Sequence, residues 1–386
     1  MKSIVENQEI MDTPGEIEGN QGQEYKIEQF TLHDSDYKEI SDLITTAFLN
    51  DEMAKKEGGV LIFNEETFRR IFGSPYLPKD LFVRAIHIPT NEVIGFIGCI
   101  PRTVHYQNSL FECAIPAWAA VHWKHQRKGI SVEMGKEVRK MLIEKGYNIA
   151  FSFHEPEQHG KDLSAAVSRE TDLIPLKRLA NINHFLIRIF DIQKVKKVFK
   201  LKRYERWGLK ILSPPKIKYK PNSQIRRYEP EDGPILFELM SDHVEQNEMA
   251  IVHEEKDFLW YLNQPGVNCV VHENTHGDVD GFLLAWEFLF AGYGESVPFG
   301  WLDLVHTYRL KQTDATDLAK FLAIQSKEMG WAGIQMPYIK YFNAIPFKKA
   351  KFILFPKKIY IDAFYQENHS TLPLPEKLNT FYFDWR

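Results

Sequence analysis

The chain repeats itself. Val121-His122 recurs as Val305-His306, 184 residues on, and Gly95 recurs as Gly281, 186 residues on. Around these anchors whole segments answer one another: YKIEQFTLHDSDYKEISDLIT and SQIRRYEPEDGPILFELMSDH, VIGFIGCI and VDGFLLAW, PAWAAVHWKHQRKGISVEMGKEVRKMLIEKGY and GWLDLVHTYRLKQTDATDLAKFLAIQSKEMGW. Two anchors with nearly one offset point to a duplicated domain. A length of 386 residues also suits two domains of similar size.

Within the first unit, YKIEQFTL alternates like a strand and YKEISDLITTAF carries apolar residues at helical spacing. FNEETFRRIFG reads as a second helix, and LFVRAIHIPTNEVIGFIGCIPRTVHYQ as a hairpin turning at PTNE. The strand AIPAWAAVHW, a helix and the strand YNIAFSFH follow. This order predicts an α+β fold of two tandem domains, each a mixed, mostly antiparallel sheet flanked by helices. The expected boundaries are an acidic tail at 1–23, domains at 24–192 and 223–386, and a basic linker at 193–222.

A hydrophobic fraction of 44% and a charged fraction of 26% are those of a globular chain with a real core. A net charge of -4 excludes a global attraction to nucleic acid. Cys99, Cys113 and Cys269 stand apart without a CxxC pair, which predicts reduced thiols and a cytoplasmic protein. The first 23 residues lack the basic and apolar regions of a signal peptide and read as a mobile tail. No apolar run is long enough to predict a spanning helix.

Local basic character needs its own explanation. Gln126, Arg127, Lys128, Gly129, Ile130 and Ser131 stand at a helix entrance, where free backbone N–H groups and the positive end of the dipole attract phosphate. Gly129 brings no Cβ into the approach of a ligand, and Ser131 is small. Arg127 and Lys128 add charge where a pyrophosphate would lie. The alternative is a surface helix whose basic residues are solvated.

VHWKHQRKGIS resembles motif A of the GNAT superfamily, Q/R-x-x-G-x-G/A, with Gln126, Gly129 and Ser131 at the marked positions and serine replacing the last small residue. The resemblance implies that this turn binds the pyrophosphate of an acyl-coenzyme A co-substrate. FIGCIPRTVHY followed by AWAAVHWKHQRKGIS is similar to the corresponding run of eukaryotic N-myristoyltransferases, themselves tandem GNAT proteins. Residues 225–365 look like the second half of such an enzyme, with YFNAIPFKKAKFILFPKKIYIDAF as a final helix and hairpin. Two departures matter. The second motif reads YRLKQTDA without glycine, so only the first domain is expected to bind coenzyme A. The myristoyltransferases carry a basic residue where Gly129 stands, so the sequence is more like an acetyltransferase there.

The resemblance implies an N-acyltransferase, most simply an N-acetyltransferase of a small-molecule or peptide amine. A long-chain transferase acting on peptide N-termini and a non-catalytic coenzyme A-binding or scaffold module remain the alternatives. By the same resemblance the backbone around Trp118, Ala119, Ala120 and Val121 faces the pantetheine and thioester. Pro116 fits a bulged strand that splays from its neighbour. His154 and Glu155, at the end of YNIAFSFH, are candidate bases. The carboxylate at Arg386 is a third, because the myristoyltransferases use their own chain terminus. HEPEQH does not have zinc-ligand spacing, since His154 and His159 are five apart with Pro156 between them, and no metal is expected. Cys113 lies in an apolar strand and is weak as a nucleophile.

KVKKVFKLKRYERWGLKILSPPKIKYKPNSQ reads as a solvated crossover between the domains. Its first part also reads as a basic amphipathic helix for an anionic membrane surface or an acidic partner.

Overall fold

The structure is a computed structural model that describes residues 24–147, 149–156, 177–214, 216–365 and 377–386, with positions 163, 166, 167, 169 and 375. The acidic tail and His159 lie outside the described residues. The first half supplies strands β1 (Tyr25–Phe30), β2 (Val60–Ile62), β3 (Phe82–His87), β4 (Glu92–Tyr106), β5 (Ser109–Val121), β6 (Ile149–His154) and β7 (Lys177–Ile189). The second supplies β8 (Ile225–Arg227), β9 (Met249–Val252), β10 (Val267–Glu273), β11 (Val279–Gly292), β12 (Glu295–His306), β13 (Gly333–Pro337), β14 (Ile353–Tyr365) and β15 (Phe381–Tyr382).

These strands form one sheet, mostly antiparallel, in the order β1-β3-β4-β5-β6-β14-β7-β13-β12-β11-β10-β8. Read inward from either edge, the two halves give the same series of strands, so the duplication is visible as a pseudo-twofold. At the centre the halves exchange their last long strands. β14 pairs with β6 through Tyr360↔His154, and β7 pairs with β13 through Met336↔Leu186. One continuous apolar core runs beneath, from Leu32 to Phe383. An exchanged central strand makes each half's sheet incomplete without the other.

Both anchor glycines mark close approaches. The helix Ile130–Glu144 covers β3 to β5 with Ile130, Met134, Val138 and Met141. A Cβ on Gly95 would lie 2.9 Å from the Met134 sulfur. In the second half the helix Gln312–Glu328 takes the matching place, and a Cβ on Gly281 would lie 2.7 Å from Leu310 Cδ1 in the turn before it. The same steric demand therefore recurs where the sequence repeats.

β4 and β5 are joined by a tight turn at Gln107 and Asn108, both left-handed at φ 48 and 60, as a type I′ hairpin requires. KFILFPKKIYIDAF is one long strand, not a hairpin: its register shifts between Pro356 and Ile359, where proline cannot donate to the ladder. TFYFDWR carries the two-residue strand β15, which runs parallel to β9. Between the halves run two helices, Ile192–Val198, which buries Ile192, Val195 and Val198, and Arg203–Leu212, which buries nothing. Among the described residues no helix is long and apolar enough to cross a membrane.

Candidate active site

β5 pairs with β6 in parallel only at Cys113↔Ile149 and Ala114↔Ala150. Beyond Ala114 the two strands part. Pro116, with no N–H to offer, stands two residues past the last paired residue, while β6 stays paired with β14 on its other edge from Ile149 to His154. The result is a wedge in the sheet, open toward the end of β5.

One side of that wedge is a bulge. On β4, Phe96 pairs with Ala120 and Gly98 with Ala117, so Ile97 opposes both Trp118 and Ala119. Trp118 is left-handed at φ 60, a conformation that costs a non-glycine residue roughly 1–2 kcal/mol. The bulge falls two residues after Pro116, which itself remains in register with Cys99. The Trp118 ring packs on Phe63 with centroids 4.4 Å apart. Ala120 is buried and pairs with β4. The amide of His122 donates to Ile94 O at 2.8 Å, so the preceding amide, that of Val121, points the other way, into the wedge.

The chain leaves β5 through a 3₁₀ turn at Trp123–His125 and enters the helix at Gly129. Gly129 is the N-cap at φ 77, and a Cβ built there meets nothing within 4 Å. Ile130 and Ser131 open the helix, so their amides lack partners in it. Val132 and Glu133 are the first to donate, both to Gly129 O. Arg127 is also left-handed, at φ 62, and exposed. Gln126 closes the turn by donating to Val121 O at 3.2 Å. Lys128 is turned away: its Nζ lies 2.8 Å from Glu24 Oε2, and its carbonyl accepts from Tyr25. Arg127, not Lys128, is the cation left to face an anion. The residues fit a pyrophosphate, because a bare cradle stands before free helix amides.

The base candidates separate. His154 is buried, with Nε2 3.2 Å from Asp362 Oδ2, and Asp362 also holds Arg178. Its neighbour Phe153 packs on Phe383 and Trp385, so by strand alternation His154 faces the opposite side of the sheet. Glu155 is paired with Lys357 at 2.6 Å. Arg386 is buried, its guanidinium bound to Asp257 and its backbone oxygen accepting from Arg102 at 3.1 Å.

Beneath the wedge lies a buried ionic cluster that sequence reasoning missed. Arg102 pairs with Asp384 at 3.0 Å. Asp303 is fully buried and accepts from Tyr261 at 2.8 Å and from the Trp385 amide at 2.7 Å. Burial, and then the charge of Asp384, push the Asp303 carboxyl up to about 7. Burial also works on Asp384 and Asp257, yet Arg102 holds the first below the usual range and Arg386 takes the second to about 2. Asp303 sits in the second-half bulge, between Leu302 and Leu304, where Leu284 and Ala285 are consecutive across from it. It is thus the structural counterpart of the Trp118–Ala119 bulge. Only the duplicated register, carried through to the fifth strand, would have marked it.

In the second half the counterpart of the wedge is closed from within. β12 and β13 pair only at Gly300↔Ile334 and Trp301↔Gln335. The amide of Val305, counterpart of Val121, donates to Tyr341 Oη at 3.1 Å. His243 and Tyr382 pack on that hydroxyl's ring, and His306 packs on His243.

Residues 30–154 match the family model described as an acetyltransferase (GNAT) domain. No curated protein matches the chain in sequence. In structure the chain is similar to the Saccharomyces cerevisiae N-myristoyltransferase with bound myristoyl-CoA, at a TM-score of 0.70 and 14% identity over 90% of this chain and 80% of that one. A second structure of the same yeast enzyme with myristoyl-CoA gives 0.69 and 14% over 89% and 83%. The chain has the two-lobed fold of those proteins.

Proposed function

We propose that this chain, an acyltransferase by its GNAT domain over residues 30–154, carries an acyl group from coenzyme A to a primary amine. The observation that carries this reading is the wedge between β5 and β6, with the Trp118–Ala119 bulge on one wall and the Gly129 cradle at its mouth. The pyrophosphate rests on the amides of Gly129, Ile130 and Ser131 and on Arg127, and the pantetheine lies along Trp118 to Val121. The amide of Val121 points into the wedge toward the developing oxyanion. The amine nitrogen attacks the thioester carbonyl, the C–N bond forms, the C–S bond breaks, and the proton lost by nitrogen must be taken up as the thiolate leaves.

Asp303 is our choice for that proton. Its carboxyl titrates near neutrality, as a general base should. Trp385, whose amide it holds, packs on Phe153 at 5.2 Å, at the wall of the wedge. His154, against Asp362, is the candidate on the other face.

Acetyl is the acyl group we favour, because Trp118 and Phe63 fill the space behind the bulge. A long-chain donor is the second reading, favoured by the fold shared with a myristoyltransferase. Only the first half binds coenzyme A in this account, since Tyr341 already takes the Val305 amide and no left-handed glycine opens the second helix. The acceptor is a small-molecule or peptide amine. A cytoplasmic site suits the three free, buried cysteines. The test is release of free thiol from acetyl-, octanoyl- and myristoyl-CoA against a panel of amines and N-terminal glycine peptides. Turnover with acetyl-CoA is expected; thiol release from none of them, with coenzyme A unbound, overturns the reading.

A further inference from the structure

The helix Arg203–Leu212 is the part of the molecule the acyl-transfer reading does not use. It is ten residues long and buries none of them. Tyr204, Trp207, Ile211 and Leu212 are exposed by 66%, 69%, 54% and 57%. Tyr204, Trp207 and Ile211 stand at i, i+3 and i+7, which aligns them in one outward stripe. Arg203, Arg206 and Lys210 have the same spacing and form a cationic stripe beside it. A Cβ on Gly208 would meet nothing within 4 Å, so the helix is open to its surroundings there.

Charge around the helix is one-sided. Between Ile192 and Lys220 the sequence has one acidic residue, Glu205, against eleven lysines and arginines. Glu205 is spent on the helix start, where it accepts from the Lys202 amide at 2.7 Å. A groove of about 250 Å³ between this helix and Ile192–Val198 is lined by Lys196, Arg203, Arg206, Lys210 and Trp207, with no carboxylate among its lining residues. Arg206 Nε is buried there without a hydrogen-bond partner.

We infer that the Arg203–Leu212 helix docks the protein on an anionic lipid bilayer, its Trp207 stripe in the headgroup–acyl boundary and its cationic stripe among the phosphates. A solvated crossover helix has no reason to expose a tryptophan and three further large apolar side chains in register. An acidic protein would answer the cations but leaves the exposed apolar stripe unmatched. A bilayer interface answers both, because aromatic rings settle at the headgroup level and lysines and arginines are drawn to anionic lipid. This inference is independent of the acyl-transfer reading.

The test is cosedimentation of the full chain with vesicles of phosphatidylcholine alone and of phosphatidylcholine with about a third phosphatidylserine. Binding to the anionic vesicles, and not to the neutral ones, is expected. Trp207→Glu with Ile211→Glu, and separately Arg203→Glu with Lys210→Glu, should each weaken it by about tenfold or more. All four side chains are exposed, so the variants keep their fold and their melting temperature, which is checked alongside. No binding to the anionic vesicles overturns the inference. So does binding that either double variant leaves intact, and so does retention on immobilised polyglutamate without any vesicle binding, which would indicate an acidic protein partner instead.

Discussion

Gly129 tests the candidate site most directly, because its two roles separate in energy. At φ 77 an L-residue is strained, at roughly 1–2 kcal/mol, while its Cβ meets no protein atom within 4 Å. For a chain of 386 residues that strain lowers the melting temperature by only about 1–3 °C. Gly129→Ala therefore folds and reports the cost of a methyl group in the cradle. Gly129→Glu adds a carboxylate about 5 Å from where a pyrophosphate charge would sit, a repulsion of about 3 kcal/mol at the effective dielectric of a protein surface. Coenzyme A should then bind about 150-fold more weakly, since each 1.4 kcal/mol is a factor of ten. Calorimetric titration with coenzyme A measures the affinity, and a thermal melt measures the fold. A Gly129→Glu protein that melts within about 5 °C of the parent and still binds coenzyme A within about threefold of it would refute the cradle.

Three other perturbations follow from the structure. The Asp303 carboxyl is raised to about 7 in the fold, so its contribution to stability is fully present below the ordinary carboxylate range and is lost as pH rises through about 7. Asp303→Asn should thus gain melting temperature relative to the parent between pH 5 and pH 8, while the acidic limb of kcat/KM near pH 7 disappears; an unchanged limb removes Asp303 from the reaction. Trp118→Gly relieves a left-handed residue and removes a ring from Phe63, and the ratio of myristoyl- to acetyl-CoA turnover should rise by about tenfold or more, the gain expected from two or more methylenes of new pocket. Gly95→Ala and Gly281→Ala should each cost about 1–3 kcal/mol in urea unfolding by overpacking, the second more, because its Cβ would also meet His306 O at 3.0 Å.

Much of this was legible in the residues. The helix entrance at Gln126 to Ser131 is local chemistry: a glycine that can be left-handed, small neighbours, and amides that any helix start leaves free. The duplicated blocks carried the strand order, because apolar alternation and helical spacing are properties of the chain alone. Pro116 rightly signalled a strand leaving its neighbour, although the bulge itself forms at Trp118. Lys128 shows the limit of such reading. Its charge belongs to the motif, but Glu24, distant in sequence, takes it.

What the sequence by itself determined is therefore the repeating unit, the glycine-bearing helix entrance at Gln126 to Ser131, and the absence of a glycine from the matching stretch YRLKQTDA. What only the tertiary structure decided is how the two units complete one another. Nothing local states that β14 inserts beside β6, or that β7 crosses to β13, because a strand's partner is chosen by long-range register and a shared core. The same holds for Asp303. Its carboxyl is an ordinary acid in the chain, and becomes one that titrates near neutrality only because packing removes water from it and places Asp384 nearby.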